Sequence, residues 1–210
     1  MTARSEFADR MREALLSRRD ADGTWRGHLS SSALSTAAAC IALMTVDSRS
    51  YRDAVAAGID WLVTHQNSDG GWGDTTRSQS NLATTWMGFS ALTATAGCGE
   101  LTASQQDALD AAHIWLTDRL DSERISAEAL QAALGEVYGS DRTFQVPLLV
   151  AGVIAGALGE DAAKLAGRLP FELAVFPHRI LRWLRLPVVS YALPALIAMG
   201  QWIEHPHGGG

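Results

Sequence analysis

Cysteine is nearly absent: Cys40 and Cys98 are the only two. They are too few for a disulfide framework and read as reduced thiols of a cytoplasmic protein. Proline is scarce, with 6 in 210 residues, and so is the period-two alternation of β-branched residues that marks a half-buried strand. There is no excess of positive charge. Lys and Arg total 17 against 23 Asp and Glu, a net charge of −6 that argues against a nucleic-acid partner. No uninterrupted apolar run reaches the roughly 20 residues a bilayer-spanning helix needs. The longest, Leu186–Ile203, is broken by Pro187 and Pro194 and carries Ser190, Tyr191 and Gln201. The opening Met1-Thr2-Ala3-Arg4-Ser5-Glu6 lacks the apolar core of a secretory signal. No His, Cys or Asp cluster has zinc-ligand spacing, and Gly70-Gly71-Trp72-Gly73 lacks the Lys-Ser/Thr of a phosphate loop. Neither a metal nor a cofactor is expected.

What remains is ordinary globular material, 47% hydrophobic and 19% charged, which excludes disorder and collagen-like structure. The length suffices for one or two domains with real cores. Helical periodicity and alanine-rich composition predict helices over Ser32–Met44, Tyr51–His65, Asn81–Ala94 and Ala103–Arg119. Another starts at Ser126 and stops at Gly139, and more are expected over Val146–Leu158, Phe171–Leu184 and Val188–Gly200. Eight to ten helices and no strand define an all-α chain.

Self-comparison reveals a repeat. Asp22-Gly23-Thr24-Trp25 returns as Asp69-Gly70-Gly71-Trp72, 47 residues on. Each copy is followed by Ser-x-Ser-x-Leu-x-Thr, at Ser30–Thr36 and again at Ser78–Thr84, and each is preceded by a helix. A worn third copy runs from Trp115-Leu116 to Leu130. The unit is helix, Gly-Trp turn, helix, and such units stack to bury one another's apolar faces. In the second copy, Gly70 and Gly71 permit positive φ after a helix end. Gln66 is placed to bond backbone groups left unpaired at a neighbouring helix terminus, and Trp72 to seal the turn. This arrangement tightens a helical ring and performs no chemistry.

The string Gly58-x-x-Trp61-Leu62-x-x-x-Gln66-x-x-x-Gly70-x-Trp72 resembles the QW motif of squalene–hopene and oxidosqualene cyclases, the class II triterpene cyclases. The first copy keeps Leu15, Gly23 and Trp25, with Ala14 and Arg19 where the motif has an aromatic and the Gln. Pro170-Phe171-Glu172, the arginine-bearing helix after it, and Ser190-Tyr191 through Gln201 follow an order similar to the N-terminal third of a bacterial squalene–hopene cyclase. The resemblance implies an α/α toroid over 1–203, incomplete without a second domain, followed by a flexible tail over 204–210. It implies a polyprenyl hydrocarbon such as squalene as substrate, and a second cyclase domain or chain as partner. In that family an Asp-x-Asp-Asp motif starts cyclisation by protonating an alkene or epoxide. None occurs here, since Asp107-Ala108-Leu109-Asp110 and Asp118-Arg119-Leu120-Asp121 are wrongly spaced. No catalytic residue is therefore assigned.

Trp61, Leu62, Gln66, Gly70 and Trp72, with Gly23 and Trp25, are read as structural. Tyr191 holds the place of an aromatic that lines the family's cavity, where π faces stabilise carbocations; a satisfied core tyrosine is the alternative. Arg179, Arg182 and Arg185, set among Phe176, Ile180, Leu181 and Trp183, read as the solvated edge of a core helix. Their other reading is peripheral contact with anionic lipid. Gly97-Cys98-Gly99-Glu100 is similar to the thioester sequence of complement-like proteins, but Leu101 replaces the Gln that the chemistry needs. The competing function class is a non-catalytic lipid- or protein-binding toroid.

Overall fold

A computed structural model describes residues 3–27, 29–139, 142–159 and 162. Among them are seven helices and no strand, so the all-α class holds. The expected helices over Phe171–Leu184 and Val188–Gly200, Tyr191, and the tail over 204–210 lie outside the described residues.

The chain divides into two compact units, Met1–Ser31 and Ser32–Gly210. The first holds α1 (Ala3–Ser17) and the turn that follows it. Phe7, Met11 and Leu15 recur every fourth residue and form an exposed stripe along α1.

The second unit holds α2 (Ala33–Asp47), α3 (Arg52–Thr64), α4 (Leu82–Cys98), α5 (Ala103–Arg119), α6 (Ala127–Tyr138) and α7 (Arg142–Ile154). The starts of α2, α4, α5 and α6 follow from short polar side chains that accept from the helix's unpaired first-turn N–H groups. Ser32 accepts from Ser35 N, Asn81 from Thr84 N and Ser126 from Ala129 N. Thr102 and Gln105 close a reciprocal capping box on α5. Gly139, at φ 60°, ends α6 where the sequence places its stop.

α7 departs from expectation. It begins at Arg142, four residues before Val146, and ends at Ile154 with Pro147 inside it. An internal proline forfeits one intrahelical hydrogen bond. Gly156, in the left-handed region at φ 73°, then terminates the helix, and Ala157 and Leu158 donate back to the Gly152 carbonyl.

α4 is the centre of this unit. Every residue from Leu82 to Leu92 is buried, and the helix packs against α2, α3, α5 and α7. α2 also packs on α3, and α3 on α5, so helices before and after the Gly-Trp turn form two rows. α7 rather than α6 extends the row of α2 and α4, and α6 packs chiefly on α7. At Gly152 of α7 a Cβ would lie 2.2 Å from Cζ2 of Trp86. That close approach lets the Trp86 indole N–H donate to the Leu148 carbonyl at 2.8 Å.

Candidate functional site

The Gln-Gly-Trp turn connects α3 to α4 and braces both against α5. The Gln66 side-chain amide donates to Gly70 O and to Ala108 O, each at 2.8 Å. Ala108 lies inside α5, so Gln66 grips an interior carbonyl of its neighbour rather than a terminal one. Gly70 has φ 89°, and a Cβ there would come within 2.7 Å of Ala111 O, so glycine is required twice over. Trp72 is 1% exposed; its indole N–H donates to Leu62 O at 2.9 Å and its ring lies over Gly88 of α4. Trp61 stacks on His65 with centroids 4.2 Å apart. Burial opposes the charge of Asp69. Donation from Ser80, the Gly71 N–H and Trp115 outweighs it and holds the carboxyl below its ordinary range.

The first turn repeats the bonds internal to the turn with both partners 47 positions earlier, but not those of Gln66 to α5 or of Asp69 to Ser80 and Trp115. Trp25 donates to Leu15 O (2.7 Å), as Trp72 does to Leu62 O (2.9 Å). Asp20 N donates to Thr24 O, as Asn67 N does to Gly71 O. Asp22 accepts from Thr24 N, as Asp69 does from Gly71 N. Gly23 has φ 82°, matching Gly70. Arg19 takes the place of Gln66, donating from Nε to Gly23 O at 2.7 Å while its guanidinium lies 5.3 Å from the Trp25 ring centre. Trp25 nevertheless remains 48% exposed. The helix pair around Leu130, the worn third copy, has a shorter connection in which Asp121 adopts φ 47°, a conformation that Asp tolerates better than most residues.

Gln66, Gly70 and Trp72 line neither of the two cavities described next. The first cavity is an apolar groove of about 590 Å³ between α2, α4 and α7. Ile41, Met87, Phe144 and Leu148 are among its walls, and no carboxylic acid lines it among the described residues. The second, of about 370 Å³, is polar and holds Asp74, Asn81, Arg119 and Tyr138. Ala83 and Tyr138 line both, so the cavities adjoin there. Burial, and then the Asp74 carboxylate, raise the pKa of the Tyr138 phenol, which therefore stays protonated at neutral pH. No group of three or more His, Cys, Asp or Glu that could hold a metal is found among the described residues. Nor is any described helix long and apolar enough to cross a membrane.

The sequence singled out the turn and missed the groove. Its walls come from three helices distant in sequence, one of which starts four residues earlier than expected. No local spacing encodes that meeting.

The fold and cavity define an all-α helical-repeat protein with an apolar groove. The model of the squalene–hopene cyclase C-terminal domain matches residues 1–121, which span both Gly-Trp turns and α1 to α5. The chain belongs to that family. The similarity noted in the sequence was to the N-terminal third of such an enzyme; the matching model describes the C-terminal domain. No curated protein matches the chain, and no solved structure does.

Proposed function

We propose that this chain supplies cavity wall and barrel packing for cyclisation of a polyprenyl chain of the squalene type, with the initiating acid provided by another segment or chain. The observation that carries this reading is the groove between α2, α4 and α7. Its 590 Å³ lie within the range of roughly 300–1,000 Å³ typical of small-molecule sites, and its walls are almost wholly aliphatic and aromatic. A hydrocarbon offers nothing to a polar wall and gains from an apolar one. In this reading the Gly-Trp turns are clamps. They fix α3, α4 and α5 while the groove lies on the other side of α4.

Assignment to the N-terminal part of a two-barrel enzyme rests on the order of segments from Pro170 to Gln201, outside the matched residues. The cavity argument stands without it. Tyr191 is proposed as a further aromatic of the cavity wall.

A second reading has an observation in its favour. The groove lining lacks any carboxylic acid, so the described residues offer nothing there to protonate an alkene. A toroid that binds a lipid without transforming it fits that lining equally well. Incubation of the purified chain with squalene, with and without a partner carrying Asp-x-Asp-Asp, and with mass-spectrometric readout, separates the two. Cyclised product only with the partner is the expected result. Product from the chain alone overturns the external acid, and bound but unchanged squalene in both arms selects the binding toroid.

A further inference from the structure

The groove and the polar pocket are neighbours, and the residue between them is oriented by its own contacts. The Tyr138 ring stacks on Phe144, a wall of the groove, with centroids 5.5 Å apart. Tyr138 and Asp74 both line the pocket. Tyr138 thus stands where the apolar groove meets the polar pocket.

Both polar atoms at this junction have bonding capacity to spare. Asp74 Oδ1 accepts from Asn81 Nδ2 at 2.8 Å and from Thr84 Oγ1 at 3.2 Å, while Oδ2 has no partner among the described residues. The Tyr138 hydroxyl has none either among those residues. One open acceptor and one open donor in a single pocket complement a group that both donates and accepts. An alcohol is such a group, giving its proton to Asp74 Oδ2 and taking the Tyr138 hydroxyl proton on its oxygen.

The charge in the pocket narrows the choice further. Among the described residues, Asp74 and Arg119 are its only formally charged ones, and they oppose each other. A diphosphate head would bring several negative charges against Asp74 with one exposed guanidinium to meet them. A quaternary ammonium head would meet Arg119. A neutral head meets no such conflict.

We propose that the joined cavities bind a long-chain prenyl alcohol, its tail in the groove between α2, α4 and α7 and its hydroxyl held between Tyr138 and Asp74. The inference rests on the groove being the polyprenyl site and adds a head-group preference that a pure hydrocarbon lacks.

The test is equilibrium binding of geranylgeraniol, the hydrocarbon of the same skeleton, and geranylgeranyl diphosphate to the full chain, to Tyr138→Phe, to Asp74→Asn, and to Met87→Trp, which obstructs the groove. The alcohol is expected to bind about 10-fold more tightly than the hydrocarbon, the scale of one or two good hydrogen bonds. Tyr138→Phe should bring the two ligands within about 2-fold while leaving hydrocarbon affinity unchanged. Asp74→Asn should weaken only the alcohol, and Met87→Trp should weaken both. Circular dichroism of each variant confirms that it is folded. Equal affinity of alcohol and hydrocarbon for the unaltered chain, or a preference for the diphosphate, overturns the head-group site while leaving the apolar groove in place. Failure of all three ligands to bind overturns the groove as well.

Discussion

Gly152→Ala adds one methyl group at the crossing of α4 and α7, where the new Cβ would lie 2.2 Å from Trp86 Cζ2 and within 3.2 Å of two more ring atoms. Both partners belong to buried, close-packed helices, and Trp86 is fully enclosed. Relief therefore means separating the helices or turning the indole. Overpacking a core by a methyl costs about 1–3 kcal/mol. Turning the ring also breaks the 2.8 Å bond to Leu148 O, and a buried donor without a partner costs about 1–3 kcal/mol. Against this, replacing glycine by alanine inside a helix contributes about 1 kcal/mol of stability. The balance is a loss of about 1–5 kcal/mol. Urea unfolding followed by far-UV circular dichroism, with the slope checked for constancy, measures it. In a Trp86→Phe background, where the ring is smaller and the donor gone, the same substitution should cost at least about 1 kcal/mol less. A neutral or stabilising Gly152→Ala, or an unchanged cost in the Phe background, would refute the reasoning from close approach.

The two turns share their bonding but not their burial, so their tryptophans should respond differently. Trp72→Phe removes an enclosed donor to Leu62 O and should cost about 2–3 kcal/mol; Trp25→Phe, half in water, should cost under about 1 kcal/mol, both by denaturant titration. Because Asp69 is held below its ordinary pKa of 3.8, its contribution to stability is complete above that value and is lost as pH falls through the lowered one. Asp69→Asn should therefore flatten the acid limb of the stability–pH curve relative to the unaltered chain, in which Asp22 and Asp47 act in the same direction. Cys98 is exposed, and Cys40 is buried with its thiol pKa raised by desolvation. A thiol reagent at mildly alkaline pH should thus modify one cysteine in the native protein and both in urea; rapid labelling of two native thiols would contradict the packing of Cys40 against Gly58.

Much of the fold was legible because its signals are local. Helical periodicity gave Ala103–Arg119 its bounds, and Ser126 and Gly139 delimited α6. The repeat, too, is written in consecutive residues, and its hydrogen bonds recur at the same offset as its letters. Arg19 shows where letter matching stops. It looked like a lost Gln, yet its Nε reaches the same turn carbonyl, because the position requires an N–H donor of sufficient reach and not an amide. The start of α7 was placed too late: the helix runs from Arg142, so Pro147 sits in its second turn, among the groove walls. The groove and the Tyr138–Asp74 junction were illegible because each joins residues far apart in sequence, brought together by packing of α2, α6 and α7 around α4.

The enclosure of Leu82–Leu92, the first three turns of α4, has a kinetic consequence. A helix with one face in water can fray or lift while its neighbours stay folded, but Leu82–Leu92 is covered on every side. Its amide protons can reach solvent only when the helices around it let go. Hydrogen–deuterium exchange should therefore be slowest along α4, with an opening free energy equal to that of unfolding the whole Ser32–Gly210 unit, while α1, with its apolar stripe in water, exchanges on its own and far sooner. The helices packed around Leu82–Leu92 must release it together, and it is the last stretch to register that they have.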